Sequence, residues 1–252
     1  MYTLGASYII TSLVRWISAF LIPLVIQEIT DSAFFTSLSF AVSIAPSVLV
    51  LPIAGVMGDW LHKKRIIQIC ELCNIVVLSL LIITPFQWSY IYVIFLLDFL
   101  LNALATIHHP IFQAMVPLAV PKENINYFNA YLGATGHLIA ILGPILVSLS
   151  LQVMDKKSML YLLIGAYLCS FLLVSLISYS EKRQVKSFSV HKIFTAFYEG
   201  FHYVKTHPFL GIQPPSSFFL TLGWLLSAQI SFTISNTIAI SKRVNWVPTS
   251  SL

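Results

Sequence analysis

Six times within the first 180 residues the chain runs for about twenty positions with almost no charge: about 3–26, 34–57, 66–84, 89–112, 127–150 and 158–179. At 1.5 Å of rise per residue, each stretch is long enough as a helix to cross a hydrocarbon layer about 30 Å thick. A further apolar stretch runs from about Ser216 to Ile240. Inside a bilayer the backbone has no water to bond to, which leaves a helix bundle as the fold for such segments. Composition agrees, with 58% of residues hydrophobic and 9% charged, against about 25% charge in an ordinary soluble domain. That excludes a soluble enzyme, a secreted disulfide scaffold, a disordered chain and a nucleic-acid-binding domain, in spite of a net charge of +5. The expected fold is an all-α polytopic membrane protein.

The positions of the cations orient it. With the N-terminus in the cytoplasm, the inner loops hold Lys63, Lys64, Arg65, Lys122, Lys182, Arg183, Lys186, Lys192 and Lys205. The outer loops among the six spans then hold only Lys156 and Lys157. The positive-inside rule favours that arrangement over its inverse. The first stretch has no basic residue before it and carries Arg15 in its middle, so it reads as a retained helix, not a cleaved signal. Three regions follow: a six-helix bundle over 1–180, a cytoplasmic linker over 181–208, and a partial or aberrant seventh span with its tail over 209–252. Within the linker, Ile193, Phe194, Phe197, Phe201 and Val204 fall on one helical face. Such a helix either lies in the membrane interface or packs on loop residues.

Cys70 and Cys73 form a C-x-x-C on one face of the third span, but no second pair completes a ligand set, so no metal is expected. No cofactor is expected either. No nucleophile–base cluster, paired-histidine zinc motif or phosphate-cradling glycine loop occurs at either membrane face, and an enzyme is the weakest reading.

The loop between the second and third spans reads GVMGDWLHKKR, from Gly55 to Arg65. Taken alone, an acidic residue followed by a basic cluster serves as a topological anchor. The spacing, however, resembles the loop signature of the major facilitator superfamily, G-x-x-x-D-R/K-x-G-R/K-R/K. Gly55, Asp59, Lys63 and Lys64 match in place, while Trp60 and His62 depart from it. The resemblance implies that Asp59, Lys63 and Lys64 belong to a cytoplasmic charge network that holds one conformation of a transporter.

Two further passages are similar to the macrolide and multidrug exporters of that superfamily. Pro110, Gln113, Pro117 and Pro121 stand at a spacing that looks like the branch's proline passage, and Gly143-Pro144 resembles the core of the antiporter motif in helix five. Val147 and Ser148 stand where that motif has two glycines. Ile29-Thr30-Asp31-Ser32-Ala33 looks like the family's turn between helices one and two. The resemblance covers about residues 8–210. It implies the six-helix N-terminal bundle of the major facilitator fold, with the central linker and a candidate seventh span.

Three ionisable residues fall well inside the spans: Arg15, Asp98 and His137. A lone charge at such depth costs about 2.5–3.5 kcal/mol on insertion scales, so these groups face a cavity or a partner. Since helices one and four line the cavity in the resembled fold, Arg15 and Asp98 are expected to face each other as an ion pair. Asp98 would carry the driving proton, with His137 as a relay, unless the pair only fixes packing. The family's helix-four arginine is absent, and Leu100, Leu101 and Asn102 stand near its place. His108 and His109 read as interfacial and receive no role.

The reading in function is a proton-driven exporter of small amphipathic molecules, working in a lipid bilayer and not on nucleic acid. The alternatives are a half-size homodimeric transporter and a non-transporting membrane module. After Gln213-Pro214-Pro215 the chain turns rich in Ser and Thr, and only Lys242 and Arg243 are charged. A shifted frame or truncation that removes the second half explains the change; divergence of helix seven is the alternative.

Overall fold

The computed structural model describes residues 2–50, 54, 57–58 and 61–177. Six long helices account for most of them, and no strand occurs among the described residues: α1 (Tyr2–Thr30), α2 (Ala33–Leu49), α3 (Lys63–Ile83), α4 (Ile91–Ala119), α5 (Ile125–Ser150) and α6 (Lys156–Ser175). Five are long and apolar enough to cross a membrane, and α2 is a shorter apolar helix. Helical pairing continues beyond α2, from Ala54 N to Val50 O and from Leu61 N to Met57 O, each at 3.0 Å. The all-α membrane bundle expected from the sequence is therefore the observed one. Gly55 and Asp59 of the loop signature, the linker from Glu181 to Pro208, and the stretch from Ser216 to Ile240 lie outside the described residues.

Element ends differ from the hydropathy reading in two places. Helix α4 continues to Ala119, past both Pro110 and Pro117, because a proline costs one ladder bond but does not compel a break where neighbouring helices hold the backbone. Helix α1 runs on to Thr30, and the chain then turns at Asp31, whose φ is +46°. Aspartate tolerates that left-handed conformation better than most residues. The turn is secured by Asp31 N to Gln27 O at 2.8 Å and by a Gln27–Thr36 side-chain bond.

Helix α1 is the hub. It packs against α2, α5 and α6 and touches α4, while α3 packs on α4 and α6, and α2 on α4. A ring α1–α2–α4–α3–α6 thus closes on itself, with α5 applied to α1 from outside. Glycines permit that last contact. A Cβ on Gly143 would stand 2.9 Å from Trp16 Cβ, and one on Gly136 would stand 2.8 Å from the Tyr8 hydroxyl. In lipid, where apolar side chains gain little by leaving their surroundings, such close backbone approach is a main source of helix association.

Two apolar clusters fill the ring, one toward each end. Leu21, Ile26, Leu78, Leu81, Ile94 and Leu163 belong to one, and Leu4, Ile67, Ile111, Phe112, Met115 and Val174 to the other. Every ring helix carries buried polar groups, among them Thr11, Thr36, Ser39, Glu71, Asn74, Asp98 and Ser170. The outer surface is the reverse, with Ile69, Leu72, Val76, Leu96, Ile141 and Leu172 exposed, as suits contact with lipid tails. Hydroxyls within the helices bond to the carbonyl one turn back, such as Ser79 to Ile75 O (2.8 Å) and Thr106 to Asn102 O (2.8 Å), which satisfies these donors without water. Cys70 is buried and Cys73 exposed, so the C-x-x-C straddles the bundle wall and does not share one face.

Both ends of α6 are tied down. Lys156 bonds Glu28 at the end of α1. At the other end Lys64 donates to the carbonyls of Ser175 (2.7 Å) and Ile177 (2.8 Å), and Gln68 donates to Ser175 Oγ (2.8 Å). A lysine on the last carbonyls of a helix satisfies orphan acceptors and complements the helix dipole.

The glycine contacts make a sharp prediction. Gly143→Val forces a branched side chain into Trp16 and should destabilise the bundle by about 1–3 kcal/mol. Gly165→Ala, at a site where a Cβ meets nothing within 4 Å, should leave stability within about 0.5 kcal/mol. Thermal unfolding of the detergent-solubilised chain checks both.

Candidate cavity and its ionisable lining

The polar layer opens into a cavity of ≈ 410 Å³ walled chiefly by α1, α4 and α5. Arg15, His108, His109 and His137 line it, together with Trp16 and Phe112. The sequence singled out Arg15 and His137, and the structure brings them to this one space. The two α4 histidines, read from sequence as interfacial, sit on the same wall; the extension of α4 to Ala119 carries them into the bundle. His108 stacks on Phe112, with ring centroids 6.0 Å apart.

Asp98 lies beside the cavity and not on it. It lines a recess of ≈ 10 Å³ with Arg15, Ser18, Asn102 and Tyr167, about the room one water needs. Asp98 is 1% exposed. Its carboxylate accepts from Ser43 Oγ of α2 at 3.1 Å and from Asn102 Nδ2 at 3.0 Å. The expected Arg15–Asp98 ion pair does not form: among the described residues no salt bridge joins them. Arg15 instead sits over the Trp16 ring at 5.6 Å. The two groups share the recess, Arg15 reaches both spaces, and neutral dipoles hold the carboxylate. Asn102, standing where the resembled family carries an arginine, supplies one of those dipoles.

A second buried group was legible but passed over. Glu71 lies in the third span and is fully buried. Ser170 Oγ donates to Glu71 Oε1 at 2.5 Å, which leaves Ser7 as donor to Ser170 at 2.9 Å. His108 Nε2 stands 3.7 Å from the same Oε1, beyond a hydrogen bond. Glu71 Oε2, Asn74 Oδ1 and His108 Nε2 are the buried side-chain atoms left without a hydrogen-bond partner among the described residues. All three belong to one neighbourhood, since Asn74 follows Glu71 by one helical turn and His108 touches it. Glu71 does not line the cavity; His108 and Asn74 do. The signal that finds this group is simply an acidic residue at the sixth position of an apolar span.

Three helix prolines bear on the same space. Pro23, Pro117 and Pro144 interrupt α1, α4 and α5, and each leaves the carbonyl four residues earlier without its helical donor. Those carbonyls belong to Ala19, Gln113 and Ala140. Ala19 lines the recess, and Gln113 and Ala140 line the cavity. Pro144 of the antiporter-like pair thus bears on the cavity through its backbone, while Gly143 beside it seats α5 on Trp16.

Of the loop-signature residues, Lys64 is engaged with the end of α6 and Lys63 opens α3.

Glu71 provides the test of the buried cluster. Glu71→Gln keeps an acceptor for Ser170 and should change bundle stability by less than about 1 kcal/mol. Glu71→Ala strands the Ser170 hydroxyl and opens a cavity, and should cost about 2–4 kcal/mol. Thermal unfolding of both variants in detergent reads the difference.

The architecture and this lining agree with what comparison with known proteins gives. No curated protein matches the chain. The family model of the Major Facilitator Superfamily matches residues 4–251, nearly the whole length, and members of that family are transporters. The chain is a multi-pass membrane protein of the major facilitator superfamily, a transporter by family.

Proposed function

We propose that the chain works in proton-driven efflux of small amphipathic molecules across the cell membrane, in the manner of the macrolide and multidrug exporters its proline passage resembles. The observation that carries this reading is the polar cavity at mid-bundle, joined through Arg15 to a recess that holds Asp98. Ionisable groups at this depth are expensive to insert and mark substrate and proton paths in membrane proteins. Asp98 takes the proton, Arg15 couples the recess to the cavity, and His137 relays on the far wall. The N-terminus faces the cytoplasm, as the cation distribution indicates.

Asp59, Lys63 and Lys64 act as the cytoplasmic gate. The bonds from Lys64 to the end of α6 support that role, because they fasten the loop signature to a second helix of the bundle. Residues 1–180 form the moving bundle, 181–208 the cytoplasmic linker, and 209–252 a partial or aberrant seventh span. Alternating access requires a facing bundle to rock against, supplied by a second six-helix half or, in the alternative reading, by another copy of this chain.

The test is Asp98→Asn, which keeps the size of the side chain and removes its proton chemistry. Efflux driven by an imposed pH gradient in proteoliposomes should fall about tenfold or more, with equilibrium substrate binding retained. Unchanged gradient-driven efflux would remove Asp98 from the mechanism.

A further inference from the structure

The described lining of the cavity carries basic side chains and no acidic ones. Arg15, His108, His109 and His137 face it, while none of the described lining residues is an aspartate or a glutamate. The nearest acids are withdrawn from it. Glu71 is fully buried behind His108, held by Ser170, and Asp98 is turned to Ser43 and Asn102 in the recess. Arg15 consequently has no carboxylate within 4.0 Å among the described residues.

A guanidinium stays protonated, and at mid-membrane depth it needs an anion or water to be tolerated. Its planar fork matches a carboxylate or phosphate with two parallel hydrogen bonds. Imidazoles add further donors on the opposite walls. Trp16, on the same lining and only partly buried, offers an apolar face to whatever body carries the anionic group.

We propose that the cavity binds an amphipathic organic anion, its carboxylate or phosphate taken by Arg15 with His109 and His137 and its apolar body laid against Trp16. This narrows the substrate class of the cavity read above and rests on that reading only in taking the cavity as the substrate site.

Equilibrium dialysis of the full chain in lipid nanodiscs tests it with three probes of one shape: phenylbutyrate, its methyl ester and phenylbutylamine. The carboxylate should bind about tenfold or more tightly than the ester, and the amine most weakly. Arg15→Gln should bring carboxylate and ester within about threefold of each other, and Arg15→Lys should restore part of the preference. Ester binding retained by both variants shows that they are folded. Tighter binding of the amine, no binding of any probe, or a carboxylate preference that survives Arg15→Gln overturns the proposal. Binding of the carboxylate without gradient-driven movement leaves the anion site standing and removes proton-driven efflux. Gradient-driven export of the amine with the carboxylate ignored does the reverse.

Discussion

In hydrocarbon, a polar atom must find its partner inside the protein, and the interior of this bundle is arranged by that constraint. The apolar side chains could lie almost anywhere on a membrane helix, since lipid accepts them as readily as a core does. The polar ones could not. Thr11, Glu71, Asn74, Asp98 and Ser170 all turn inward between two apolar clusters, and the helices are rotated so that they do. The ring closed by α1, α2, α4, α3 and α6 is the arrangement that gives Glu71, Asp98 and Ser170 hydrogen-bonding partners on neighbouring helices. Where the neighbours run out, the interior opens into a cavity.

Helix α1 has to serve two demands at once. Its glycine-mediated contacts with α5 fix its position within tenths of an ångström, because Trp16 and Tyr8 fit only where Gly143 and Gly136 lack side chains. That same fit sets the height of Arg15, the neighbour of Trp16 in sequence. The antiporter-like Gly143 therefore bears on the cavity indirectly, by locating the helix that carries its permanent cation. Helix α6, tied to α1 through Lys156 and Glu28 and to α3 through Lys64, limits how far this helix can tilt without the others.

The spans were legible because length and apolarity are properties of a local window. So was the turn at Asp31 and the depth of Arg15, Asp98 and His137. What sequence could not supply was pairing, since three side chains at similar depth on different helices have no fixed partner until the rotation of each helix is known. Arg15 and Asp98 look like a pair by charge alone, yet Ser43 on α2 and Asn102 one turn away reach the carboxylate. Serine in an apolar run carries no signal that it will be a donor. The histidines of α4 were misplaced for another reason. The hydropathy window ends the fourth span near 112, whereas the helix runs on to Ala119 through Pro117, because neighbours and hydroxyl side chains in a bundle compensate for the lost bond.

The distribution of acids relative to the cavity explains how a basic lining is tolerated at this depth. A guanidinium and imidazoles exposed together at mid-membrane would be costly without negative charge nearby. Placing a carboxylate in the cavity itself would solve that problem and occupy the guanidinium at the same time. Here two of the four basic groups, His108 and Arg15, have an acid behind them. Glu71 lies beyond His108 at 3.7 Å, and Asp98 shares a one-water recess with Arg15 while bonded to neutral donors. Neither acid takes the guanidinium's hydrogen bonds among the described residues. The guanidinium of Arg15 stays open to the cavity because Glu71 and Asp98 are held one layer away from it.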